Sequence, residues 1–341
     1  MSRRKVTMQQ IAHTAGVSKY VVSKTLNGKP GVSDKTRQKI LFVAKQLGYF
    51  KNNENVPMQP DSEPNDHTSF VLGVIPNRHY ENQSSYWGKI IEGLSDGVHD
   101  KNWGLVIVTE EQPFKDMINT KGVKGIICVG HISTEMMLDL QQLHVPMVLV
   151  DHEDPLIAAD SVFIDNYDGT YKLTKHLVTI GHENVLFVGD IGFASSFYDR
   201  FLGYRTALEQ AGLQSSVQEP LKIAYTDQFA EQFSNWIEEE KGNQDFPTAF
   251  VCANDDIAQR VLETLHQHHI RVPEECSVTG FDNLDISLYT EPPLSTVQVL
   301  KEAIGKRAVE KLFWRFNHAD FPIEKILIRG EIIIRRSVAS K

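Results

Sequence analysis

No stretch of this 341-residue chain approaches the roughly 18 consecutive apolar residues of a membrane-spanning helix, and no apolar export core stands near its start. Cysteine is scarce. Cys128, Cys252 and Cys276 are too few and too far apart for a disulfide framework or a thiolate zinc site. Two lie inside apolar runs, so buried thiols in a reducing cytoplasm are expected. Acid is nearly missing from the first 51 residues, where 11 Lys or Arg face a single carboxylate, Asp34. The whole chain has 35 basic and 44 acidic residues, which leaves 24 and 43 for residues 52–341. The formal charge of −9 thus conceals +10 at one end and −19 over the rest: a segment suited to a polyanion is joined to one that is not.

The basic segment carries helix punctuation. Thr7 and Gln10 have capping-box spacing, followed by Met8, Ile11 and Ala12 on one face and Gly16 at a turn. Ser18 opens a second helix whose buried stripe is Val22 and Leu26. Lys19, Tyr20, Val21, Ser23, Lys24 and Asn27 are left facing outward. Ser33 opens a third helix with Ile40, Val43, Ala44 and Leu47 inward, and Gly48 ends it. Two short helices around a glycine turn, the second polar and basic, describe a helix-turn-helix. The alternative is a basic three-helix bundle bound to protein or RNA.

Val6–Ser18, Val22–Asn27, Val32–Ile40 and Leu47-Gly48-Tyr49 resemble the headpiece of the lactose/galactose repressor family. That resemblance implies a second helix whose start enters the major groove. Carried over, Lys19, Tyr20 and Lys24 read bases: lysine bonds guanine O6/N7, and tyrosine offers apolar contact or one hydrogen bond. Thr7, Ser18, Ser23, Asn27, Lys35, Thr36 and Arg37 complete the DNA-binding set, mainly as phosphate contacts that fix register.

One departure stands out. The family usually continues into a short helix that forms on DNA and wedges a leucine into the minor groove. Here Met58 falls where the wedge belongs, and Pro57 directly before it disrupts a helix interior. Residues 52–68 hold Glu54, Asp61, Glu63 and Asp66, three prolines and no Lys or Arg. An acidic, proline-containing stretch is expected to be a solvated linker.

Beyond it, apolar runs alternate with helical stretches: 71–75, 105–108, 125–129, 147–150, 185–188, 249–252 and 277–280, with a last pair in 326–334. Such a pattern predicts parallel sheets covered on both faces, and two sheets suit about 270 residues better than one. Phe163–Gly169, Arg200–Leu208, Ala253–Asp255, Ser277–Asp282 and Pro293–Val297 extend the family resemblance over nearly the whole chain. The implied fold is an all-α helix-turn-helix headpiece (1–51), a linker (52–68) and a two-lobed α/β periplasmic-binding-protein-like domain (69–338) with two parallel sheets. Its N-lobe is expected at about 69–163 and 296–320, its C-lobe at about 164–295 and 321–338.

In that fold a small molecule lies between the lobes, at the carboxyl ends of strands. The matching effector positions are Asn77, Asp151, Ser196, Arg200, Asn254 and Asp282, with Trp87 and Phe193, and also Tyr86 and Phe281, as apolar faces. Carboxylates, amides and a guanidinium suit hydroxyl groups, so a sugar or sugar-like polyol is the leading ligand class. Two acids against one evident cation leave room for an amino sugar. A purine or a phosphoprotein co-effector is the alternative within the family, and Val299 replaces an often polar position. Read singly, Asp282 is equally a strand-end cap and Arg200 an ion-pair partner of Asp199 or a neighbouring acid.

No nucleophile motif or phosphate loop stands in its required context, so no catalytic residues, metal or cofactor are expected. His266, His268 and His269 read as a solvated helix end, and Asp255-Asp256 as acids at a helix N-terminus. A solute-binding protein without a transcriptional role would lack the basic headpiece. The expected protein is a cytoplasmic homodimer on a pseudo-palindromic operator, with repression and activation both open. A DNA complex in which residues 50–58 are helical inside a kinked minor groove would overturn the expectation of a solvated linker.

Overall fold

The computed structural model describes residues 6–26, 29, 32–47, 49, 69–77, 86–111, 120–213, 219–223, 226, 228–243 and 245–341. Asn27, Gly28, Gly48, the whole 52–68 stretch and the side chain of Lys35 lie outside the described residues.

The headpiece is three helices: α1 (Met8–Ala15), α2 (Lys19–Leu26) and α3 (Asp34–Gln46). Thr7 closes the capping box on α1, accepting from the Gln10 amide at 3.3 Å while its own amide donates to Gln10 Oε1 at 2.8 Å. Gly16 takes φ 63°, a left-handed conformation open to glycine without strain, and ends α1. Ser18 and Ser33 cap α2 and α3 through the amides of Val21 and Thr36. Ile11, Ala12, Ala15, Val22, Leu26, Ile40, Val43, Ala44 and Leu47 form a closed apolar core.

The chain divides into two compact units. The first is 1–83, 91–161 and 305–324; the second is 84–90, 162–304 and 325–341. In the first, β1 (Phe70–Ile75), β2 (Gly104–Thr109), β3 (Val123–Val129) and β4 (Met147–Val150) run parallel in the order β4-β3-β1-β2. Every residue of β1 and β4 is buried, as expected of strands covered on both faces. Helices α4 (Trp87–Asp100) and α5 (Thr134–Gln141) follow β1 and β3, and β5 (Asp160–Ile164) carries the chain from the first unit into the second.

The second unit has a parallel sheet of β6 (Val185–Val188), β7 (Ala249–Cys252) and β8 (Ser277–Thr279). Its helices are α6 (Asn166–Thr179), α7 (Ser195–Gln210), α8 (Phe229–Glu240), α9 (Asp255–Gln267) and the short α10 (Ile286–Tyr289). Gly203 lets α7 approach α6 so closely that a Cβ there would overlap the Tyr167 carbonyl oxygen. The strand β9 (Thr296–Gln298) leads to α11 (Lys301–Phe316), then β10 (Lys325–Ile328) and β11 (Glu331–Ile333).

Three boundaries differ from expectation, the first being that residues 84–90, expected in the N-lobe, belong to the second unit. Residues 296–304 belong to the second unit and not to the first, because β9 pairs antiparallel with β11 and Lys301 is bonded within this unit. Residues 321–324 stay with the first unit, where the Glu324 amide is bonded to Asp160. Cys128, Cys252 and Cys276 are free and buried. Burial, helped by a neighbouring glutamate in each case, pushes Cys128 and Cys276 up to about 12.

In the first unit α11 is bound to the start of β5 by buried charge. Arg315 grips Asp160 with two parallel bonds, Nε to Oδ2 at 2.8 Å and Nη2 to Oδ1 at 2.6 Å. The Glu324 amide adds a third bond to Oδ1 at 2.9 Å. Lys311, whose ammonium lies 3.7 Å from the ring centroid of Trp314 on the same helix, bridges Asp160 and Glu324. Removing one partner of a buried pair leaves the other uncompensated, at about 3–5 kcal/mol. Arg315→Met is therefore expected to lower unfolding stability by about that amount in urea titration; a loss below about 1 kcal/mol would mean that the clamp is solvent-relaxed.

Candidate functional site

In the headpiece the outward face of α2 presents Lys19 and Tyr20, the latter 73% exposed, with Ser23 and Lys24 half-buried beside them. Several residues assigned to phosphate also have structural roles. Thr7 and Ser18 are caps. The Thr36 hydroxyl lies 2.7 Å from Ser33 Oγ, and Arg37 Nη2 donates to the Lys29 carbonyl at 2.9 Å. The second of these bonds ties Lys29 to α3. Thr25, which no sequence pattern marks, is buried.

The second unit gathers a polar cluster where β7 and β8 end and α6 and α7 begin. Arg200, on the second turn of α7, is 4% exposed. Nε donates to Asn166 Oδ1 at 2.9 Å, Nη1 to the Ala253 carbonyl at 2.6 Å and Nη2 to Asp282 Oδ1 at 3.1 Å. Its guanidinium carbon lies 3.8 Å from the centroid of Phe281, a stacked arrangement that suits a weakly hydrated planar cation. A guanidinium has five N–H donors, so two remain beyond the three bonds formed. Asn166 is held in turn by its own donation to Ile164 O at 3.3 Å.

Asp282 follows β8 with φ 106°, and Asn283 comes next with φ 46°. Consecutive left-handed backbone without glycine is strained. The turn is held by the Asp282 amide on Val297 O at 3.1 Å and by Lys301 Nζ on the Asp282 carbonyl at 2.5 Å. Behind it Asp255 is fully buried, accepting from the Thr296 hydroxyl at 2.6 Å and the Leu284 amide at 2.7 Å. Burial, then the negative charge of Asp282, pushes Asp255 up to about 8. Burial also raises Asp282 against the pull of Arg200 and Lys301.

Several expectations are corrected here. Arg200 pairs with Asp282 and not with Asp199. Phe281 is 1% exposed with the guanidinium over its ring, so it supports the cation and offers no apolar face. Asn254 Oδ1 caps α9 through the Ile257 amide at 2.9 Å. Asp255 and Asp256 do open α9 as expected, but Asp255 is buried. Lys301 is a second, buried cation, so the count of two acids against one cation that favoured an amino sugar no longer holds. Ser196 is half-buried in the first turn of α7, and Phe193 is 52% exposed just before it. His268 caps α9 and bonds Ser234 Oγ at 2.5 Å. No metal-binding group of three ligands occurs among the described residues. Asn166, Thr296 and Lys301 escape sequence reasoning because nothing local marks them.

Of the remaining candidates, Asn77 and Asp151 lie in the first unit, following β1 and β4, while Trp87 opens α4 in the segment assigned to the second. Val129 of β3 and Val150 of β4 are register partners. Directly after them, Gly130 and Asp151 take φ 75° and 56°, and His131 and His152 then meet with ring centroids 4.7 Å apart. Burial, and next the charge of His131, lowers the pKa of His152. Its Nε2 is buried without a hydrogen-bond partner. Thr134 and Asp154 bond across the two loops, and Ser133 N donates to Glu110 at 2.8 Å.

A carboxyl whose folded pKa is raised binds its proton more tightly than the unfolded chain does, so its contribution is full at low pH and lost as pH rises through the folded value. Wild-type stability is accordingly expected to fall relative to Asp255→Asn between about pH 4 and pH 8 in paired thermal melts. A difference that is flat across that range would place Asp255 in solvent.

Two domain families match the chain. Residues 7–52 match the bacterial regulatory proteins of the lacI family, and residues 174–338 match a periplasmic binding protein-like domain. The repressor PurR of Haemophilus influenzae (strain PittEE) is 28% identical over 346 residues, covering 98% of this chain and 99% of its own. The regulator DegA of Bacillus subtilis (strain 168) is 27% identical over 350 residues, covering 98% of each. Among solved structures, the regulator CelR in complex with cellobiose superposes with TM-score 0.66 at 21% identity, covering 98% of this chain and 100% of that one. The lac repressor dimer bound to operator and an anti-inducer gives 0.65 at 20%, with the same coverage. Residues 7–52 are thus a lacI-type helix-turn-helix and residues 174–338 a periplasmic-binding-protein-like domain, and over 98% of its length the chain is similar to transcriptional regulators: it is a DNA-binding transcriptional regulator.

Proposed function

We propose that this regulator changes its hold on operator DNA in response to a small, uncharged, hydroxyl-rich effector of the sugar class, bound at the Arg200–Asp282 cluster. The observation that carries the reading is the state of that ion pair. Asp282 Oδ1 is taken by Arg200, while Oδ2 and two guanidinium N–H groups are left over. An acceptor beside donors in fixed geometry matches adjacent hydroxyls, each of which gives one hydrogen bond and takes another. The internal pairing also argues against a strongly charged ligand, since neither charge awaits a counter-ion. Ribose and cellobiose, the molecules bound in two structural neighbours, belong to the same chemical class. Asn77, Trp87, Asp151, Phe193 and Ser196 are assigned to the same effector as positioning contacts.

On the DNA side, Lys19, Tyr20 and Lys24 are assigned to bases, and Ser23, Asn27, Lys35, Thr36 and Arg37 to phosphates with Thr7 and Ser18. A dimer on a two-fold operator supplies the second half-site. Effector changes operator affinity only insofar as it binds two conformations unequally.

A thermal-shift screen with ribose, cellobiose, glucosamine, a hexose phosphate and purine bases tests the effector. Ligand at a hundred times its dissociation constant adds about 2.7 kcal/mol. A shift with a neutral sugar, abolished by Arg200→Ala while operator binding persists, is the expected result. A purine-only response would replace the sugar reading. For DNA, Lys24→Ala is expected to relax discrimination at one operator position by about 1–3 kcal/mol, measured across a set of single-base operator variants. Uniform loss across the set would make Lys24 a phosphate contact.

A further inference from the structure

Among the described residues, one aromatic side chain is shared by the headpiece and the β1–β4 sheet. Phe42, on α3, packs against the headpiece core and also against the core of that sheet. Its ring lies over Gly104, the first residue of β2, and a Cβ at that position would overlap the ring. The three heavy atoms nearest to such a Cβ all belong to Phe42, so the absent side chain is matched to this one occupant. Helix α1 lies alongside β2 as well. β2 is the edge strand of its sheet, and an edge strand is the part of a sheet most in need of cover.

The seat is stiff on its other side. Trp103, immediately before Gly104, stacks on Phe316 with centroids 5.4 Å apart and meets Phe313 edge-on at 4.8 Å. Both phenylalanines are on α11, the helix that Lys311 and Arg315 clamp to Asp160. One run of packed groups therefore leads from Asp160 through α11 and Trp103 to Gly104 and Phe42. The reading residues of the headpiece stay uncovered: Lys19 and Tyr20 are exposed.

We infer that Phe42 on Gly104 is a docking surface through which the headpiece is held by the edge of its own first sheet, with its DNA-reading helix outward. The contact gives this chain a route from α11 to the headpiece that does not use residues 52–68, where Pro57 stands against a minor-groove helix. Spatial continuity alone does not establish coupling, so the docking itself is what must be measured.

The measurement is 15N relaxation of headpiece amides in the full-length protein, without DNA, in wild type, Gly104→Val and Phe42→Ala. A docked headpiece tumbles with the whole chain; a tethered one reorients several-fold faster. Gly104→Val is the decisive variant, because valine suits a strand and the atoms nearest its added carbon are those of the Phe42 ring, outside the interior of the headpiece. Slow headpiece tumbling in wild type that becomes several-fold faster in Gly104→Val is the expected result, whether or not Phe42→Ala folds. Fast tumbling in wild type would overturn the inference. So would slow tumbling that persists in Gly104→Val, since the headpiece would then be held by something else.

Discussion

The second unit is organised around the burial of one guanidinium. Arg200 is bound to the start of α6 through Asn166, to the end of β7 through Ala253 and to the turn after β8 through Asp282. A buried cation is tolerable only when its hydrogen bonds and a counter-charge are supplied together. That requirement fixes three chain segments at one point. The strained turn at Asp282 and Asn283 is held by the same cluster, with Lys301 and the β9 backbone on its far side. Ordering of this kind is what a small polar ligand needs, because contacts already in place add little reorganisation on binding.

Legibility in the sequence follows the range of the interactions. The headpiece is readable almost residue by residue, since capping boxes, left-handed glycines and helical stripes act within four residues of one another. The parallel strands are readable as apolar runs. The polar cluster is not. Arg200 is separated from its three partners by 34, 53 and 82 residues, and no periodicity reports a contact of that span. Family resemblance supplies Arg200 and Asp282 as names; their mutual bond, and the roles of Asn166, Asp255, Thr296 and Lys301, emerge only from the fold. Phe281 shows the same limit: an aromatic after a strand reads as a ligand face, and only the structure shows a guanidinium lying on it.

Charge is partitioned as well. A net charge of −9 describes no part of this molecule. The basic headpiece has the sign for phosphate, and the acidic remainder has the sign that keeps the larger domain off DNA, so binding is confined to the end that reads sequence. Phe42 sits on that same headpiece without occupying its reading face.

The matched ends of β3 and β4 carry a final consequence. At one register step the two strands turn through left-handed residues, and one of these is glycine while the other is Asp151. Left-handed backbone costs an ordinary residue about 1–2 kcal/mol that glycine avoids. Glycine would therefore relieve backbone strain at position 151, which an aspartate tolerates better than most residues because its short polar side chain can bond locally. Whatever the Asp151 side chain contributes must offset that cost, whereas Gly130 has no such strain to offset.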